Sequence, residues 1–423
     1  ATWASGLFGD LGVEGWYVDS SDNIYIVGIR GTKSFIKREY DGSWINNGDY
    51  DTGGHTYNGD IDGNGNLIVV GARTADEDGN TATVRIFDTD LGLLRYYDDI
   101  ANLPTTVWAV TAVGTAAITT VPPVDRKYAK KLVAIANSQV WYESTPGTMA
   151  ELTTTGLAVN TATALMAFEG YQKALIVNGS NKYIADFINT KIIDAAGFTN
   201  KPSRGDLVYQ AGASAAVMLV DYIDSANNVM YGYVISGTFE VATVITSAVA
   251  GGGDTILPSP DSVTAAPHWY AWTPYDNDTA TYGSMPSNPT LGCLYRGRAV
   301  LSGDAAYPHQ WYMSRQANIF DWLYSQADAQ TPVAGSNADA GELGDVVKAL
   351  IPYKDDYLIF GCSQTMWLLR GDPAIGGSLD ELSLTSGIFG PYAYAWDNKD
   401  NLYYFGTNGI YLVPKGLGTP ENI

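Results

Sequence analysis

The sequence predicts an all-β, propeller-type protein, and three features of its 423 residues support this fold class. Aromatic residues and glycine are abundant, with 29 Tyr, 11 Trp and 46 Gly. Aromatic side chains suit pleated, half-buried strands and Gly suits tight turns, so many short strands are expected. A weak unit recurs at a spacing of roughly 40 to 50 residues, the length of a four-stranded propeller blade. Helical patterns are scarce, and the best candidate is a short one at residues 318–326.

Each copy of the repeat has the pattern of a hairpin. A strand ends in Asp, a short polar turn follows, and Asn then begins an apolar strand that ends in Gly, most clearly at residues 16–28, 60–71 and 394–406. Asp and Asn favour the turn because their side chains bond to nearby backbone groups, and the apolar strand packs inside. The spacing predicts a β-propeller of six to eight blades, with seven the best single count.

One stretch interrupts this period. Residues 203–258 contain strand-like runs and the break Gly251-Gly252-Gly253, and we interpret them as a small β-domain inserted at an exposed loop. The predicted division is therefore a first part of the propeller at 1–202, the inserted domain at 203–258, and a second part at 259–423. The last run, 392–413, supplies about three strands, so an N-terminal strand is expected to complete that blade and close the ring.

The charge balance excludes some classes of protein. The chain has 45 acidic and 24 basic residues, a net charge of −21, which repels nucleic-acid phosphates and argues against sequence-specific DNA binding. No apolar run approaches the ~20 residues that span a bilayer. Cys293 and Cys362 lie in apolar contexts that favour buried free thiols, with a disulfide as the alternative.

Patterns that carry chemistry are weak. No nucleophile elbow or phosphate loop occurs, the three histidines have no partner at metal-ligand spacing, and no catalytic or cofactor-binding residue is predicted. The best metal candidate is a calcium site at Asp60, Asp62 and Asn64, whose alternating oxygen side chains resemble the start of a calcium loop. The carboxylate expected at position twelve is missing because Gly71 stands there, and a plain hairpin turn is the alternative. The sequence therefore predicts a protein that is not an enzyme and needs no cofactor.

Several phrases in the second half of the chain resemble a known family. They are His268-Trp269-Tyr270, Leu291 to Arg298, Gln310 to Arg315, Ile351 to Gly361, Gly371-Asp372-Pro373, Gly387 to Gly390 and Asn401 to Phe405. These phrases resemble propeller-like virion structural proteins of tailed bacteriophages, of the tail nozzle, tube or neck type. The run Val234 to Glu240 in the interrupting segment resembles small β-modules common in virion proteins. The resemblance covers about half of the chain and carries over no functional residues, because that family has no active site to match.

The resemblance implies a structural protein of a phage tail, located in the virion. Identical subunits would form a homo-oligomeric ring, with neighbouring virion tail proteins above and below it. DNA would pass through the channel of the ring without sequence-specific binding, and an acidic lining would keep it mobile during ejection.

A different class of function is the alternative. A secreted or surface β-propeller that binds carbohydrate, or cleaves it, would also explain the excess of aromatic residues. Exposed Trp and Tyr around a central pocket, with two or three converging carboxylates, would favour this alternative.

Overall fold

The computed structural model describes mainly the backbone in the first part of the chain and both backbone and side chains in the second part. Between residues 11 and 128 it describes strands, with side chains only at Leu67, Ile68 and Val69. From 129 onward it describes all residues except 146, 153–155, 161–164, 213–214, 249–252, 326, 337–340 and 342, with side chains from Lys131.

The first three sheets are antiparallel and follow one another along the chain. The first contains β1 Leu11–Val18, β2 Ile24–Arg30, β3 Lys33–Tyr40, β4 Ser43–Trp44 and β5 Tyr50–Asp51. The second contains β6 Thr56–Ile61, β7 Leu67–Gly71, β8 Val84–Phe87 and β9 Leu93–Tyr97. The third contains β10 Val107–Thr115, β11 Ala129–Ala136, β12 Gln139–Thr145 and β13 Thr148–Glu151.

The fourth sheet is interrupted by a larger one. Its strands are β14 Met166–Gly170, β15 Lys173–Val177, β16 Lys182–Asp186 and β24 His268–Ala271. Between β16 and β24 the chain forms a seven-stranded sheet, called here the inserted sheet, from β17 Thr190–Ile193, β18 Leu207–Gln210, β19 Ala216–Asp224, β20 Val229–Ser236, β21 Ile245–Thr246, β22 Thr255–Leu257 and β23 Ser262–Thr264. Its strands thus come from 190–264, a longer segment than 203–258, and the domain division made from the sequence stays a prediction.

The last three sheets again have four antiparallel strands each. The fifth contains β25 Leu291–Tyr295, β26 Arg298–Ser302, β27 Trp311–Met313 and β28 Val333–Ala334. The sixth contains β29 Val347–Tyr353, β30 Tyr357–Cys362, β31 Met366–Arg370 and β32 Ser378–Ser383. The seventh contains β33 Tyr394–Trp396, β34 Leu402–Gly406, β35 Gly409–Val413 and β36 Glu421–Asn422. Its described fourth strand is therefore β36, whereas the sequence suggested an N-terminal strand.

The first strands of successive sheets pack against one another in a circle. β1 contacts β6, β6 contacts β10, β10 contacts β14, β14 contacts β25, and β25 contacts β29. The Tyr353 ring of β29 lies 4.5 Å from the Trp396 ring of β33, and β33 contacts β1. The described chain is thus almost entirely β and has a propeller-like arrangement of antiparallel sheets.

The repeated hairpin corresponds to the first two strands of a sheet. In the seventh sheet, Asp397 accepts hydrogen bonds from the Lys399 and Asn401 backbone N–H groups at 2.9 and 2.7 Å, and Asn401 Nδ2 donates to its carboxylate. The turn is therefore fixed by the side chains that the repeat carries at its Asp and Asn positions.

The inserted sheet shares its core with the fourth and fifth sheets. Tyr222 of β19 stacks on Tyr270 of β24 and on Phe320, at ring-centroid distances of 5.3 and 4.8 Å. Tyr231 of β20 stacks on Tyr270 at 4.2 Å. These rings belong to one continuous cluster of buried residues that extends from the inserted sheet into β25 and β26.

Side chains of the described sheets meet across the axis of the circle. The Tyr392 hydroxyl donates to the Leu165 carbonyl at 3.4 Å, and this bond joins the segment before the seventh sheet to the segment before the fourth. Tyr394 is half-buried near Cys293 of the fifth sheet, and its hydroxyl donates to the Leu350 carbonyl at 3.5 Å. These sheets are not all neighbours in the circle, so their contacts cross the axis.

Helices are few in the part of the chain that the structure describes. α1 spans Thr279–Tyr282, and two 3₁₀ turns span Tyr275–Asn277 and Pro373–Ile375. The short helix predicted at 318–326 is wrong for the residues described there, because Asn318 and Asp321 each accept a bond from the backbone N–H two residues ahead, a turn geometry that competes with the helix.

Two further expectations are met within the described residues. No described helix is long and apolar enough to cross a membrane. Cys293 and Cys362 are buried free thiols, and burial raises the pKa of Cys362 to about 12.

Candidate functional site

A cleft of about 410 Å³ lies between the β14–β15 turn and the inserted sheet. Clefts of this size accommodate small ligands. Its lining residues are Tyr171, Gln172, Lys173, Ile188, Asn189, Arg204, Gly205, Leu219, Val220, Asp221 and Tyr233.

The β14–β15 turn places two side chains at the edge of the cleft. Tyr171 and Gln172 have φ of 56° and 59°, the left-handed region that two-residue hairpins use and that Gly or Asn adopts most easily. The Tyr171 hydroxyl donates to the Gly297 carbonyl at 2.5 Å and fixes the ring against the fifth sheet. The chain therefore holds a Tyr and a Gln in a conformation that costs free energy, as it also does at the Asn137-Ser138 turn.

A buried ionic network forms one wall of the cleft. Lys173 Nζ lies 2.9 Å from Asp221 Oδ2 and 3.6 Å from Asp186 Oδ2. Arg204 Nη2 approaches Asp221 Oδ1 at 2.9 Å from the more exposed side. Asn189 Nδ2 donates to Asp186 at 2.7 Å and to Asp221 at 2.8 Å. The wall therefore carries two cations and two carboxylates that neutralise one another.

The network keeps Lys173 and Asp221 in the ionised state. Burial alone would lower the pKa of Lys173, but Asp186 and Asp221 outweigh it and the pKa is raised. Burial alone would raise the pKa of Asp221, but Lys173 and Arg204 lower it below its ordinary value. Asp221 therefore stays a carboxylate near neutral pH and cannot serve as a proton donor.

The exposed side chains of the cleft are an aromatic ring, an apolar side chain and a guanidinium group. Tyr233 and Leu219 line the cleft and are 40% and 38% exposed, and the Arg204 side chain is 30% exposed. The Gln172 side-chain carbonyl is buried without a hydrogen-bond partner. This set can stack on a flat apolar surface and bond to polar groups at its rim.

A second, smaller depression of about 170 Å³ lies where the third sheet meets β17 and β24. His268 lines it, and burial lowers the pKa of this side chain. Its Nε2 is 3.1 Å from the Thr264 carbonyl, so the ring has a structural partner.

The calcium candidate falls outside the part of the chain that can be tested. Asp62 and Asn64 lie outside the described residues, and only the backbone of Asp60, in β6, is described. Among the described residues, no group of three or more His, Cys, Asp or Glu side chains could hold a metal ion. The calcium site stays a prediction.

Comparison with known proteins identifies no family for this chain. No family model matches the chain. No curated protein matches it either. Among solved structures, YCF48 bound to a D1 peptide covers 95% of this chain and 94% of its own, at 10% identity and a TM-score of 0.44. The match to YCF48 from Cyanidioschyzon merolae covers 95% of this chain and 96% of that protein, at 10% identity and a TM-score of 0.43. The extracellular domain of the putative one component system BT4673 from B. thetaiotaomicron covers 98% of this chain and 52% of its own, at 11% identity and a TM-score of 0.26.

The resemblance to phage virion proteins is wrong. The structures that this chain resembles are YCF48 and bacterial extracellular or surface domains, among them PorZ of Porphyromonas gingivalis, and not phage tail proteins. Three further predictions are therefore wrong. They are the function as a tail nozzle, tube or neck component, the role in DNA ejection, and the location in the virion. Ring assembly of identical subunits around DNA has no support among these structures.

The cleft residues were missed by sequence reasoning. Lys173 opens the strand Lys173-Ala174-Leu175-Ile176-Val177, in which every residue is buried. A charged residue in a buried strand needs a partner, so this Lys was the available signal. Its partners lie 13 and 48 positions away, at Asp186 and Asp221, and no spacing rule connects them.

Proposed function

We propose that this chain is a non-catalytic β-propeller that binds a carbohydrate in the cleft between its fourth sheet and the inserted sheet. The observation that carries the proposal is the exposed Tyr233 ring in a cleft that also presents Arg204 and Gln172. The apolar face of a sugar ring packs on an aromatic side chain, while its hydroxyls exchange hydrogen bonds with amide and guanidinium groups. The cleft lies beside the fourth blade and not at the axis, where a central pocket was expected.

The proposal includes a closed propeller of seven blades. Seven sheets follow one another in the circle, and the contacts of β33 with β29 and β1 support closure. The inserted sheet then lies between the third and fourth strands of the fourth blade. A rigid ring would hold the β14–β15 turn at a fixed distance from the inserted sheet, which preorganises the cleft.

Binding without cleavage follows from the contacts of the two carboxylates and from the lowered pKa of Asp221. Glycoside hydrolysis needs a protonated acid with a raised pKa beside a second, ionised carboxylate. Asp186 and Asp221 share Lys173 and Asn189, and the pKa of Asp221 is lowered. Neither carboxylate is aimed at a ligand as a free group.

A glycan array with the full chain tests the proposal, followed by titration of the best ligand. Tyr233→Ala should weaken binding about tenfold or more, because the stacking surface is lost. Tyr307→Ala is the matched control, since Tyr307 is 57% exposed and does not line the cleft.

Two results would count against the proposal. One is an array on which no glycan binds. The other is a glycan whose affinity falls equally in both variants, which would place its site elsewhere. Release of reducing ends from a bound oligosaccharide would show that the protein is an enzyme after all.

A further inference from the structure

The inserted sheet has an outer face that is apolar and exposed. Leu207, Leu219 and Tyr233 are cross-strand partners on β18, β19 and β20, and each is 38–40% exposed. Ile235, at a bulge in β20, is 53% exposed, and Val217 lies beside it half-buried. We call these five residues the apolar face.

Exposed apolar side chains are concentrated in this part of the chain. Of the twelve large apolar side chains exposed among the described residues, six lie between positions 207 and 244. Single exposed apolar residues are ordinary, but a contiguous group on one sheet marks an interaction surface.

The edge strands of the inserted sheet are poorly suited to pairing with a strand from a partner. Its edge strands β22 and β23 have three residues each. Such short edges offer few backbone groups to an added strand, so a partner would dock on the side chains of the face.

The negative charge of the segment that forms the inserted sheet favours a basic partner. Residues 190–264 contain three basic and seven acidic residues, a formal charge of −4, and the whole chain carries −21. Two of the three cations are already engaged, since Arg204 pairs with Asp221 and Lys201 with Asp276. A second copy would bring the same negative charge to the interface, whereas a basic partner would be attracted.

We propose that the apolar face docks a partner polypeptide whose contact surface is apolar at its centre and carries Lys or Arg at its rim. The apolar centre supplies most of the affinity, and the basic rim supplies orientation and speed of association. Leu219 and Tyr233 belong to both the apolar face and the cleft lining, so a docked partner and a carbohydrate ligand would share these two side chains.

Three labelled synthetic peptides test this proposal on the full chain, by fluorescence anisotropy at physiological salt. One alternates Leu with Lys, one alternates Ser with Lys, and one alternates Leu with Glu. The Leu/Lys peptide should bind about tenfold more tightly than either of the others. The double variant Leu207→Ser with Ile235→Ser should weaken its binding about tenfold, since two apolar contacts are lost.

The matched control is Ile375→Ser with Phe389→Ser, two apolar residues that are 68% and 71% exposed and lie outside the inserted sheet. It should bind the Leu/Lys peptide as the wild type does. Equal binding of the Ser/Lys and Leu/Lys peptides, or equal loss in both double variants, would overturn the proposal because charge alone would then explain binding. A wild-type dimer in light scattering that becomes a monomer only in the Leu207→Ser, Ile235→Ser variant would overturn it in favour of a second copy.

Discussion

Lys173 is the side chain on which the polar contacts at the cleft converge. It is 3% exposed and lies against the carboxylates of Asp186 and Asp221. An ion pair of this kind contributes little compared with apolar packing, but removing one partner leaves a buried charge without compensation. Removing one member of the network is therefore expected to lower the free energy of unfolding by more than the intact network contributes to it.

Lys173→Met should lower the free energy of unfolding by about 3–5 kcal/mol, because two carboxylates would then face each other in a buried site. Lys201→Met is the control, since the Lys201 side chain is 57% exposed in its pair with Asp276 and such pairs contribute about 0–1 kcal/mol. Urea denaturation of both variants measures the difference. Equal losses would show that the Lys173 network is not buried in solution.

The lowered pKa of Asp221 makes stability depend on pH in the acid range. A carboxyl with a lower pKa in the folded state stabilises the fold above its unfolded pKa of about 3.9, and this contribution disappears as the pH falls below that value. The difference in unfolding free energy between the wild type and Asp221→Asn should therefore be largest near pH 6 and should shrink below pH 4. A difference that stays constant from pH 6 to pH 3 would contradict the ionised state described here.

At the scale of the element, the buried Arg298 side chain links β26 to the sixth sheet. Arg298 donates to the carbonyls of Ser314, Ala329, Gln330 and Thr331 and to the Asp372 carboxylate at 3.2 Å. One guanidinium thus fixes the segment before β28 and the turn after β31. Arg suits this role because its donors point in several fixed directions.

Arg298→Met should cost about 3–5 kcal/mol of stability and should increase proteolysis near residues 328–332, because the buried carbonyls and Asp372 lose their donor. The control Arg370→Met removes an exposed pair with Asp380, whose side chains are 41% and 48% exposed, and should cost less than about 1 kcal/mol. Chemical denaturation and limited trypsin digestion measure the two effects. Unchanged cleavage near 328–332 in Arg298→Met would contradict this role.

The sequence predicted the repeated hairpins because their information is local. Asp397 and Asn401 bond within their own turn, so five consecutive residues suffice to specify it. The predicted helix at 318–326 failed because its apolar spacing reflects burial in a core shared by several segments: Trp272 and Trp322 both donate to the Ile319 carbonyl. The cleft could not be predicted, since its residues come together only when two sheets pack.

At the scale of the whole molecule, the inserted sheet and the propeller-like circle form one packed unit. The Tyr222 ring lies among rings of β20, β24 and the segment after β27. A domain joined only by a linker would lack such shared packing. Cooperative unfolding of the two parts is therefore expected.

Tyr222→Ala should lower stability by about 3–5 kcal/mol, because a buried aromatic ring leaves a cavity. Hydrogen exchange should accelerate in β19, β20 and β24 together. Tyr307→Ala, at a ring that is 57% exposed, should leave exchange in these strands unchanged. Acceleration confined to β19 and β20 would show that the inserted sheet unfolds by itself.

The pairing of β16 with β24 has a consequence for the order of folding. Asp186 pairs with His268 although a long segment separates them in the chain, and closing a loop of that length carries an entropic cost that slows folding. Within the segment, Lys191 of β17 pairs with Thr264 of β23, so formation of the inserted sheet brings the two ends of the loop together. We therefore expect the inserted sheet to act as a nucleus that forms before the fourth blade is complete.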